Sequence, residues 1–296
     1  MTLRQALTTA TARFVADPHL RDQAARDAEL LLLHALQLPR VILLAHPDRE
    51  LTPGEQAIYK DAITRRLHHE PIQYITGQQE FYGLLLNVTP AVLIPRPETE
   101  HLVEAVLKLS PKDRPLKIAD IGTGSGAIAI ALAVHLPDAE ITAVDISAEA
   151  LALAAANARQ HNVADRIRFL QSDLLSALDD EAEAFDAIVS NPPYVAETDR
   201  ATLHPQVRDH EPAAALFAGE TGLDIYRRLV PEAHNALKSN GLLALEIGYS
   251  QHQALMDLLA NWREISFIKD LQSVPRVVLA TRPVSLWRSD KILPRR

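Results

Sequence analysis

From about residue 117 the sequence alternates short apolar runs with longer segments of helical spacing, and this alternation limits the possible folds more than any other feature. Segments such as AIAIALAVHL and EALALAAANARQHN keep apolar residues at helical intervals. The apolar runs between such segments are KIADIG, EITAVDI, RIRFLQSD, FDAIVSN and GLLALEIGY. Near-continuous apolar strands separated by helices predict an α/β fold with a mostly parallel sheet that is covered on both faces.

The first part of the chain has a different pattern, which predicts helices only. Thr52, Pro53 and Glu55 carry the signals of a helix start: an N-cap, a proline at the first position and a capping box. The later run EFYGLLLNVTPAVLIP, with turn formers in its middle, is typical of a β-hairpin. We therefore predict a small helical bundle over residues 1–73, a β-hairpin linker over residues 74–97 and an α/β domain over residues 98–296.

The end of the chain predicts one helix with a glycine stop and an antiparallel edge of the sheet. A helix over DIYRRLVPEAHNALKSN is expected to end at Gly241, because glycine is common just after a helix. Another helix is expected from about residue 250 to 262. The runs EISFIKDL and RVVLATR, joined closely around SVPR, predict two antiparallel strands. The basic tail PVSLWRSDKILPRR is expected to be peripheral.

Composition excludes several kinds of site and argues against several kinds of partner. The chain has 296 residues, no cysteine and a formal net charge of −8. The absence of cysteine excludes disulfides, thiolate metal sites and a cysteine nucleophile. The acidic balance argues against direct nucleic-acid binding, which needs a basic face. No apolar run approaches the roughly 20 residues of a membrane helix, so we expect a cytoplasmic protein that does not associate with membranes.

The run DIGTGSGA, residues 120–127, joins a predicted strand to a predicted helix. Its glycines allow the backbone to approach a ligand at the N-terminus of the helix. Gly122, Gly124 and Ala127 satisfy the dinucleotide-binding pattern G-x-G-x-x-G/A, and Asp145 ends the next strand, where it can accept from a ribose. A nicotinamide-dependent oxidoreductase is therefore one interpretation.

Two acidic residues favour a different ligand. Asp120 places a carboxylate beside the loop, where it would repel a pyrophosphate, and Gly126 completes the run D-x-G-x-G-x-G. A ligand with an ammonium and a sulfonium group and no phosphate suits this acid better, and S-adenosyl-L-methionine is such a ligand. Asp173, at the end of the third strand, either accepts from the amine of the adenine or caps the short segment after it.

The stretch SNPPYV, residues 190–195, ends the fourth strand, where open α/β sheets bind ligands. An amide or aromatic amine nitrogen is a poor nucleophile because its lone pair is delocalised. If the side-chain oxygen of Asn191 and the carbonyl of Pro192 accept its two hydrogens, the lone pair is directed at the methyl group. Pro192 and Pro193 hold that carbonyl rigidly, and Tyr194 is expected to cover the planar group. The stretch predicts methyl transfer to a planar nitrogen.

With these motifs the chain resembles the bacterial peptide chain release factor glutamine methyltransferases, the PrmC/HemK family, over nearly its whole length. The matching segments are EPIQYITGQQEFYGLLLNVTPAVLIPRPETE, DIGTGSGAIAIALA, AVDIS, VSNPPYV, HEPAAALFAGETGL and LEIGYSQ. The resemblance implies a class I, Rossmann-like methyltransferase domain preceded by a helical substrate-recognition domain. It also implies methyl transfer from S-adenosyl-L-methionine to the side-chain nitrogen (N5) of the glutamine in the Gly-Gly-Gln motif of release factors, with S-adenosyl-L-homocysteine as product.

The resemblance also implies which residues contact the two substrates. The implied donor contacts are Gly122, Thr123, Gly124, Ser125, Gly126 and Asp145. The implied glutamine contacts are Asn191, Pro192, Pro193 and Tyr194, and Asn191 is also expected to contact the donor. After Asp173 the family often has an aromatic residue, whereas this chain has Leu174, which leaves an apolar contact for the adenine but a weaker one.

Further polar residues outside these motifs have more than one interpretation. Arg96, between two prolines in IPRPE, either shapes the substrate entrance or forms an ordinary ion pair. Glu211, in HEPAAALFAG, belongs to a loop that is expected to close over the site and exclude water. Glu246, at the end of the fifth strand, either faces the cofactor cleft or is a structural acid. The run HHE at residues 68–70 lacks further metal-ligand spacing, so no metal is expected there.

Other substrates and one other class of function remain open. Asn-Pro-Pro-Tyr also occurs in adenine-N6 DNA methyltransferases, which must flip a base and hold a duplex, but the chain has no basic insertion for that task. A related glutamine methyltransferase that acts on a large-subunit ribosomal protein is the second alternative, although EFYG and LIPRPETE resemble the release-factor branch more closely. A non-catalytic binding module is the third.

Overall fold

The computed structural model describes residues 1–111, 114–178 and 182–284 of the chain. Its N-terminal helices are α1 Leu3–Val15, α2 Ala24–Leu36, α3 Val41–Ala45, α4 Pro53–Leu67 and α5 Ile72–Thr76. The predicted capping box at the start of α4 is present, since Thr52 and Glu55 each accept from the other's backbone N–H. Phe14, Leu31 and Tyr59 are fully buried between α1, α2 and α4, and they form the core of a helical bundle.

A short hairpin follows the helices. Its strands, β1 Gln78–Phe81 and β2 Leu84–Asn87, pair antiparallel. Tyr82 and Gly83 form the turn with φ values of 51° and 75°, as a two-residue hairpin turn requires. The backbone and side-chain N–H groups of Asn87 both donate to Oδ1 of Asn157, which attaches the hairpin to the following domain. The predicted β-hairpin is confirmed.

The rest of the described chain forms a sheet with helices on both faces. The strands are β3 Lys117–Ile121, β4 Glu140–Asp145, β5 Ile167–Gln171, β6 Phe185–Ser190, β7 Leu237–Glu246, β8 Arg263–Lys269 and β9 Pro275–Thr281. The helices are α6 Glu100–Leu109, α7 Ala127–His135, α8 Ala148–Gln160, α9 Pro205–His210, α10 Asp224–Ala236 and α11 His252–Leu258. The seven strands have the order β5-β4-β3-β6-β7-β9-β8. Among these strands the pairs β7–β9 and β8–β9 are antiparallel and the other four pairs are parallel, which confirms a mainly parallel sheet with an antiparallel edge.

The topology creates a crevice in the middle of the sheet. Helices α6 and α7 pack on one face, and α10 and α11 pack on the other. The chain moves outward from β3 through β4 to β5, and it then returns to the opposite side of β3 as β6. Open α/β sheets bind ligands beyond the carboxyl ends of the strands at such a reversal.

The expected helix end at Gly241 is wrong. Helix α10 already ends at Ala236, and the next residue begins β7, which contains Gly241. Asn240 has φ 61° and donates its N–H to the carbonyl of Arg282, and the N–H of Arg282 donates to the carbonyl of Gly241. The glycine therefore belongs to an irregular turn within a strand, because a partner strand distant in sequence satisfies its backbone. Helix α11 is also shorter than expected.

Two further expectations concern the basic C-terminal tail and the presence of membrane-spanning helices. The basic tail lies, beyond Val284, outside the described residues, and its position stays a prediction. Among the helices of the described ranges, none combines the length and the apolar character that crossing a bilayer requires.

Candidate functional site

A cavity of about 530 Å³ lies at the carboxyl ends of the central strands. This volume is within the range of about 300–1,000 Å³ that is common for small-molecule sites. The sheet contributes four loops to its lining: residues 122–125, 145–147, 172–174 and 190–193. The linker after the hairpin and the loop around Pro212 also line it. The motifs that sequence analysis singled out therefore converge on one cavity.

The glycine loop is held from below by Asp120. The Asp120 carboxylate is fully buried; its Oδ2 accepts from the hydroxyl of Thr123 at 2.6 Å and from the N–H of Ala129 at 3.2 Å. Its Oδ1 is buried without a partner among the described residues. Burial raises the pKa of this carboxyl to about 7. Asp120 does not line the cavity, so its direct role towards an ammonium group stays a prediction, whereas its role in holding Thr123 is visible.

The glycines of the loop have two different structural roles. Gly122 and Gly124 line the cavity with positive φ, and a Cβ at either would enter open space. Gly126 is the N-cap of α7 and is not part of the lining. A Cβ there would approach Ile130 at 2.9 Å and Ala154 at 3.1 Å. Gly126 is therefore required by the close packing of α7 on α8, and Gly122 and Gly124 leave room for a ligand.

Replacing Gly126 by alanine is expected to lower the free energy of unfolding more than Gly124→Ala does. Both variants carry the left-handed strain of about 1–2 kcal/mol, but Gly126→Ala adds an overpacking cost of about 1–3 kcal/mol against Ile130 and Ala154. Urea unfolding measures the difference in stability, and calorimetric titration with S-adenosyl-L-methionine measures the affinity of each variant for the donor. Gly124→Ala is expected to lower donor affinity more than stability; equal effects of the two variants on stability would contradict the packing role.

Asp145 connects the glycine loop to the end of β4. Its Oδ2 accepts from the N–H of Gly124 and its Oδ1 accepts from the N–H of Ser147, both at 2.9 Å. The side chain lines the cavity. A carboxylate oxygen accepts more than one hydrogen bond, so each oxygen can also accept from a hydroxyl in the cavity. This geometry suits a ligand with two neighbouring hydroxyls.

The loop after β5 differs from the expectation for Asp173. Its carboxylate pairs with Arg228 at 2.8 Å at the rim of the cavity, where both side chains are about half exposed. The cap of the following turn comes instead from Ser172, whose hydroxyl accepts from the N–H of Ala177 at 3.1 Å. Capping by Asp173 is therefore wrong, and its contact with an adenine stays a prediction. Leu174 lines the cavity with an apolar surface.

Asn191 has the feature expected of a substrate acceptor. Its Nδ2 donates to the hydroxyl oxygen of Thr99 at 3.0 Å. Its Oδ1 is buried and has no partner among the described residues, and the residue lines the cavity together with Pro192 and Pro193. Because a buried polar atom without a partner is costly, this oxygen is ready to accept a hydrogen from a ligand.

Tyr194 and Glu246 lie behind this acceptor rather than in the cavity lining. The Tyr194 hydroxyl donates to Oε1 of Glu246 at 3.2 Å, and the Thr99 hydroxyl donates to Oε2 at 2.6 Å. Glu246 is buried, and burial raises its pKa to about 7. The alternative that Glu246 is a structural acid is therefore favoured, and the expected cover of the substrate by the Tyr194 ring stays a prediction.

Sequence analysis missed Thr99. The residue lies in PETE, within a segment that the family resemblance includes, and no role was predicted for its hydroxyl. Its two partners are 92 and 147 positions away in the sequence. No local pattern reports contacts over such distances.

An ion pair joins the linker to the loop over the cavity. Arg96 Nη2 donates to Oε1 of Glu211 at 2.5 Å, and the N–H of Ile94 donates to Oε2 of Glu211 at 3.2 Å. Glu211 is buried, and its neighbour Pro212 lines the cavity. The ion-pair interpretation of Arg96 is what the structure shows, and direct contact of Arg96 with a substrate stays a prediction.

The run HHE at residues 68–70 has other partners. His69 Nε2 contacts Asp17 at 3.0 Å, His68 Nδ1 contacts the carbonyl of Thr64 at 2.8 Å, and Glu70 pairs with Arg65. Within the part of the chain that the structure describes, no group of three or more histidine, aspartate or glutamate residues could hold a metal ion.

Comparisons with known proteins agree with this geometry. The family model of the PrmC N-terminal domain matches residues 5–77, and that of the methyltransferase small domain matches residues 99–208. Among solved structures, the hMettl16 catalytic domain in complex with the MAT2A 3′UTR hairpin 6 aligns with a TM-score of 0.53 at 17% identity over 77% of this chain and 81% of its own. The 16S rRNA N2 G1207 methyltransferase RsmC of T. thermophilus, in complex with AdoMet and guanosine, aligns with a TM-score of 0.52 at 20% identity over 69% of this chain and 49% of its own. At such identities these structures show the fold alone, that of methyltransferases.

Curated relatives are much more similar. The release factor glutamine methyltransferase of Koribacter versatilis is 47% identical over 289 residues, which cover 96% of this chain and 100% of the relative. The protein of the same name from Moorella thermoacetica is 45% identical over 95% of this chain and 99% of its own length. The one from Coxiella burnetii is 45% identical over 86% and 91%. Because the similarity spans the helical bundle, the hairpin and the sheet alike, this chain belongs to the release factor glutamine methyltransferase family.

Proposed function

We propose that this enzyme transfers the methyl group of S-adenosyl-L-methionine to the side-chain nitrogen (N5) of the glutamine in the Gly-Gly-Gln motif of peptide chain release factors. The product of the donor is S-adenosyl-L-homocysteine. The observation that carries the proposal is the buried, unpartnered Oδ1 of Asn191, a residue of the cavity lining. Membership of the family and the names of the relatives support this substrate over the ribosomal protein and over DNA adenine.

The lining of the cavity fits S-adenosyl-L-methionine. Open space above Gly122 and Gly124 leaves room for a chain close to the backbone. Asp145 has free acceptor capacity for the two ribose hydroxyls, and Leu174 supplies an apolar surface for the adenine.

The residues at the end of β6 orient the amide group of the second substrate, the glutamine. S-adenosyl-L-methionine would supply a methyl group carried on a positively charged sulfur: attack of the glutamine nitrogen on the methyl carbon would break the carbon–sulfur bond, leave S-adenosyl-L-homocysteine, and release one proton from the methylated nitrogen. Asn191 Oδ1 and the carbonyl of Pro192 accept the two N–H hydrogens of the glutamine amide and leave its lone pair directed at the methyl group. Consecutive prolines restrict φ at both positions, so the acceptor carbonyl needs little reorganisation during the reaction.

We assign the three parts of the chain separate tasks in this reaction. Residues 1–73 form the substrate-recognition domain, residues 74–97 the linker, and residues 98–296 the domain that binds the donor and performs the transfer. Contacts between the first and last parts support a fixed arrangement: Arg66 Nη1 donates to the side chain of Gln206, and His210 contacts the carbonyl of His68. Direct nucleic-acid binding is not part of the proposal, and a cytoplasmic location follows from the substrate.

The decisive experiment is transfer of labelled methyl from S-adenosyl-L-methionine to purified release factor and to a variant in which the Gly-Gly-Gln glutamine is replaced. Label is expected on the natural protein and not on the variant. Label on neither would overturn the proposed substrate, and the same assay with ribosomal proteins and adenine-containing DNA would then test the two alternatives. Label on both would show that the modified residue is not this glutamine.

A further inference from the structure

A buried chain of hydrogen bonds connects the substrate acceptor to the end of β7. Asn191 Nδ2 donates to Thr99 Oγ1 at 3.0 Å, and the Thr99 hydroxyl donates to Glu246 Oε2 at 2.6 Å. The other oxygen of Glu246 accepts from Tyr194. Thr99 is 4% exposed and Glu246 is 1% exposed, so water does not compete for these bonds. Three elements distant in sequence therefore meet at one hydroxyl group.

The direction of this chain is determined by the number of hydrogens available. A threonine hydroxyl has one hydrogen. Glu246 accepts from Thr99 on one oxygen and from Tyr194 on the other, and in its ionised form, above its pKa of about 7, it has no hydrogen to donate. Because the hydrogen of Thr99 is directed at Glu246, the Thr99 oxygen can only accept from Asn191. A reversed Asn191 amide would direct Oδ1 at an oxygen that has no hydrogen left to donate.

We propose that Thr99 and Glu246 are positioning residues that fix the Asn191 amide with its oxygen towards the cavity. The two ends of a carboxamide have nearly the same shape, so packing alone does not distinguish them. In the reversed orientation Asn191 would present NH₂ to the NH₂ of the substrate amide, donor against donor. This inference rests on the proposed function for its catalytic consequence, but the orientation of the amide is a property of the enzyme alone.

The first test replaces Thr99 by valine, which keeps the β-branched shape and removes the hydroxyl. We expect kcat for methyl transfer to fall about 3- to 10-fold, the factor that one net hydrogen bond contributes, with little change in donor affinity. Thr99→Ser keeps the hydroxyl and is expected to retain most of the activity. Thr142→Val is the matched control, because it removes the hydroxyl of a threonine that is also nearly buried, on β4, outside this chain of hydrogen bonds.

A double-variant cycle separates positioning from general damage. In an Asn191→Ala background there is no amide to orient, so adding Thr99→Val is expected to have no further effect on kcat. The same fractional loss in both backgrounds would overturn the proposal. The unfolding midpoint of each variant is recorded alongside, since Thr99→Val also removes a donor from buried Glu246.

Glu246→Met gives a second and opposite test. Without the carboxylate, the hydrogen of the Thr99 hydroxyl becomes available to Asn191 Oδ1 and favours the reversed amide. We therefore expect a larger loss of kcat than in Thr99→Val, and we expect that adding Thr99→Val to Glu246→Met restores part of it. If Glu246 served stability alone, kcat of the double variant would be equal to or lower than kcat of Glu246→Met. This result would overturn the positioning role of Glu246.

An NMR readout makes failure of this inference distinguishable from failure of the proposed function. The side-chain N–H pair of Asn191, assigned by its absence from the Asn191→Ala spectrum, is expected to exchange slowly with solvent in the wild type and faster in Thr99→Val. Slow exchange without methylation of any release factor would leave the orientation supported and overturn the substrate. Methylation with no difference in exchange or kcat between wild type and Thr99→Val would overturn the inference and leave the function intact.

Discussion

Replacing Asn191 by alanine is expected to lower kcat for methylation of release factor by about 100-fold or more, by analogy with the loss of one preorganised group that stabilises a transition state. The substitution removes Oδ1, which is buried without a partner among the described residues, from a residue of the cavity lining. Without it, one N–H of the substrate amide faces no acceptor, and the nitrogen lone pair stays delocalised towards its carbonyl. The single-turnover rate at saturating donor and substrate measures this effect.

The same variant is expected to bind S-adenosyl-L-methionine almost as the wild type does. The donor contacts that we propose come from the glycine loop and from Asp145, which belong to other strands than Asn191. Calorimetric titration with the donor measures the affinity. Asn235→Ala, an exposed asparagine on α10 outside the lining, is the matched control for the loss of a carboxamide. Comparable losses in donor affinity and rate would contradict the role we assign to Asn191.

The positions of Asn191 and of the glycine loop in the cavity lining could be predicted, because their evidence is local in the sequence. Two prolines after an apolar run require the strand to end at Ser190, and this places Asn191 at the carboxyl end of the sheet. Glycines between a strand and a helix similarly indicate a loop that a ligand can approach, and Asp145 ends the next strand. The mainly parallel sheet followed from the same alternation of apolar strands and helices.

What could not be predicted depends on residues that are far apart in the sequence. Capping was one of the two interpretations of Asp173, but Ser172 supplies that cap, and Arg228, 55 positions later, pairs with the Asp173 carboxylate. Gly241 was expected to end a helix, but its backbone pairs with Arg282 in the turn within β7. Thr99 had no signal at all, since a hydroxyl near a helix start has an ordinary local explanation. In each case the contact is made with a residue that only folding brings close, so local sequence patterns do not predict it.

The pKa of Asp120 is another property that the sequence alone does not reveal. Its charge and position in the sequence suggested a direct contact with a cationic ligand. Burial beneath Thr123, with one oxygen unpartnered, raises its pKa to about 7. Sequence shows that an acid is present, but the burial that determines its protonation appears only in the folded structure.

Replacing Asp145 by alanine is expected to have the opposite profile to Asn191→Ala. Its two oxygens are the acceptors that we propose for the ribose hydroxyls, and hydrogen bonds to a charged group contribute about 1.5–3 kcal/mol each. The dissociation constant for S-adenosyl-L-methionine should therefore rise about 10- to 100-fold, or more if both bonds are lost. At saturating donor, kcat should change much less, because Asn191 and Pro192 are unaffected. Calorimetry and rates at increasing donor concentration measure the two quantities.

Two further variants separate the ribose contact from charge and from loop geometry. Asp138→Ala removes the same charge at an exposed position outside the cavity lining, and donor affinity should stay unchanged. Asp145→Asn keeps the shape but directs an NH₂ group at the N–H of either Gly124 or Ser147, so an intermediate loss of affinity is expected. If Asp145→Ala lowered kcat at saturating donor as strongly as it lowered affinity, Asp145 would also position the reacting groups. Opposite profiles for Asp145 and Asn191 would instead show that the cavity binds the donor and activates the amide through separate residues.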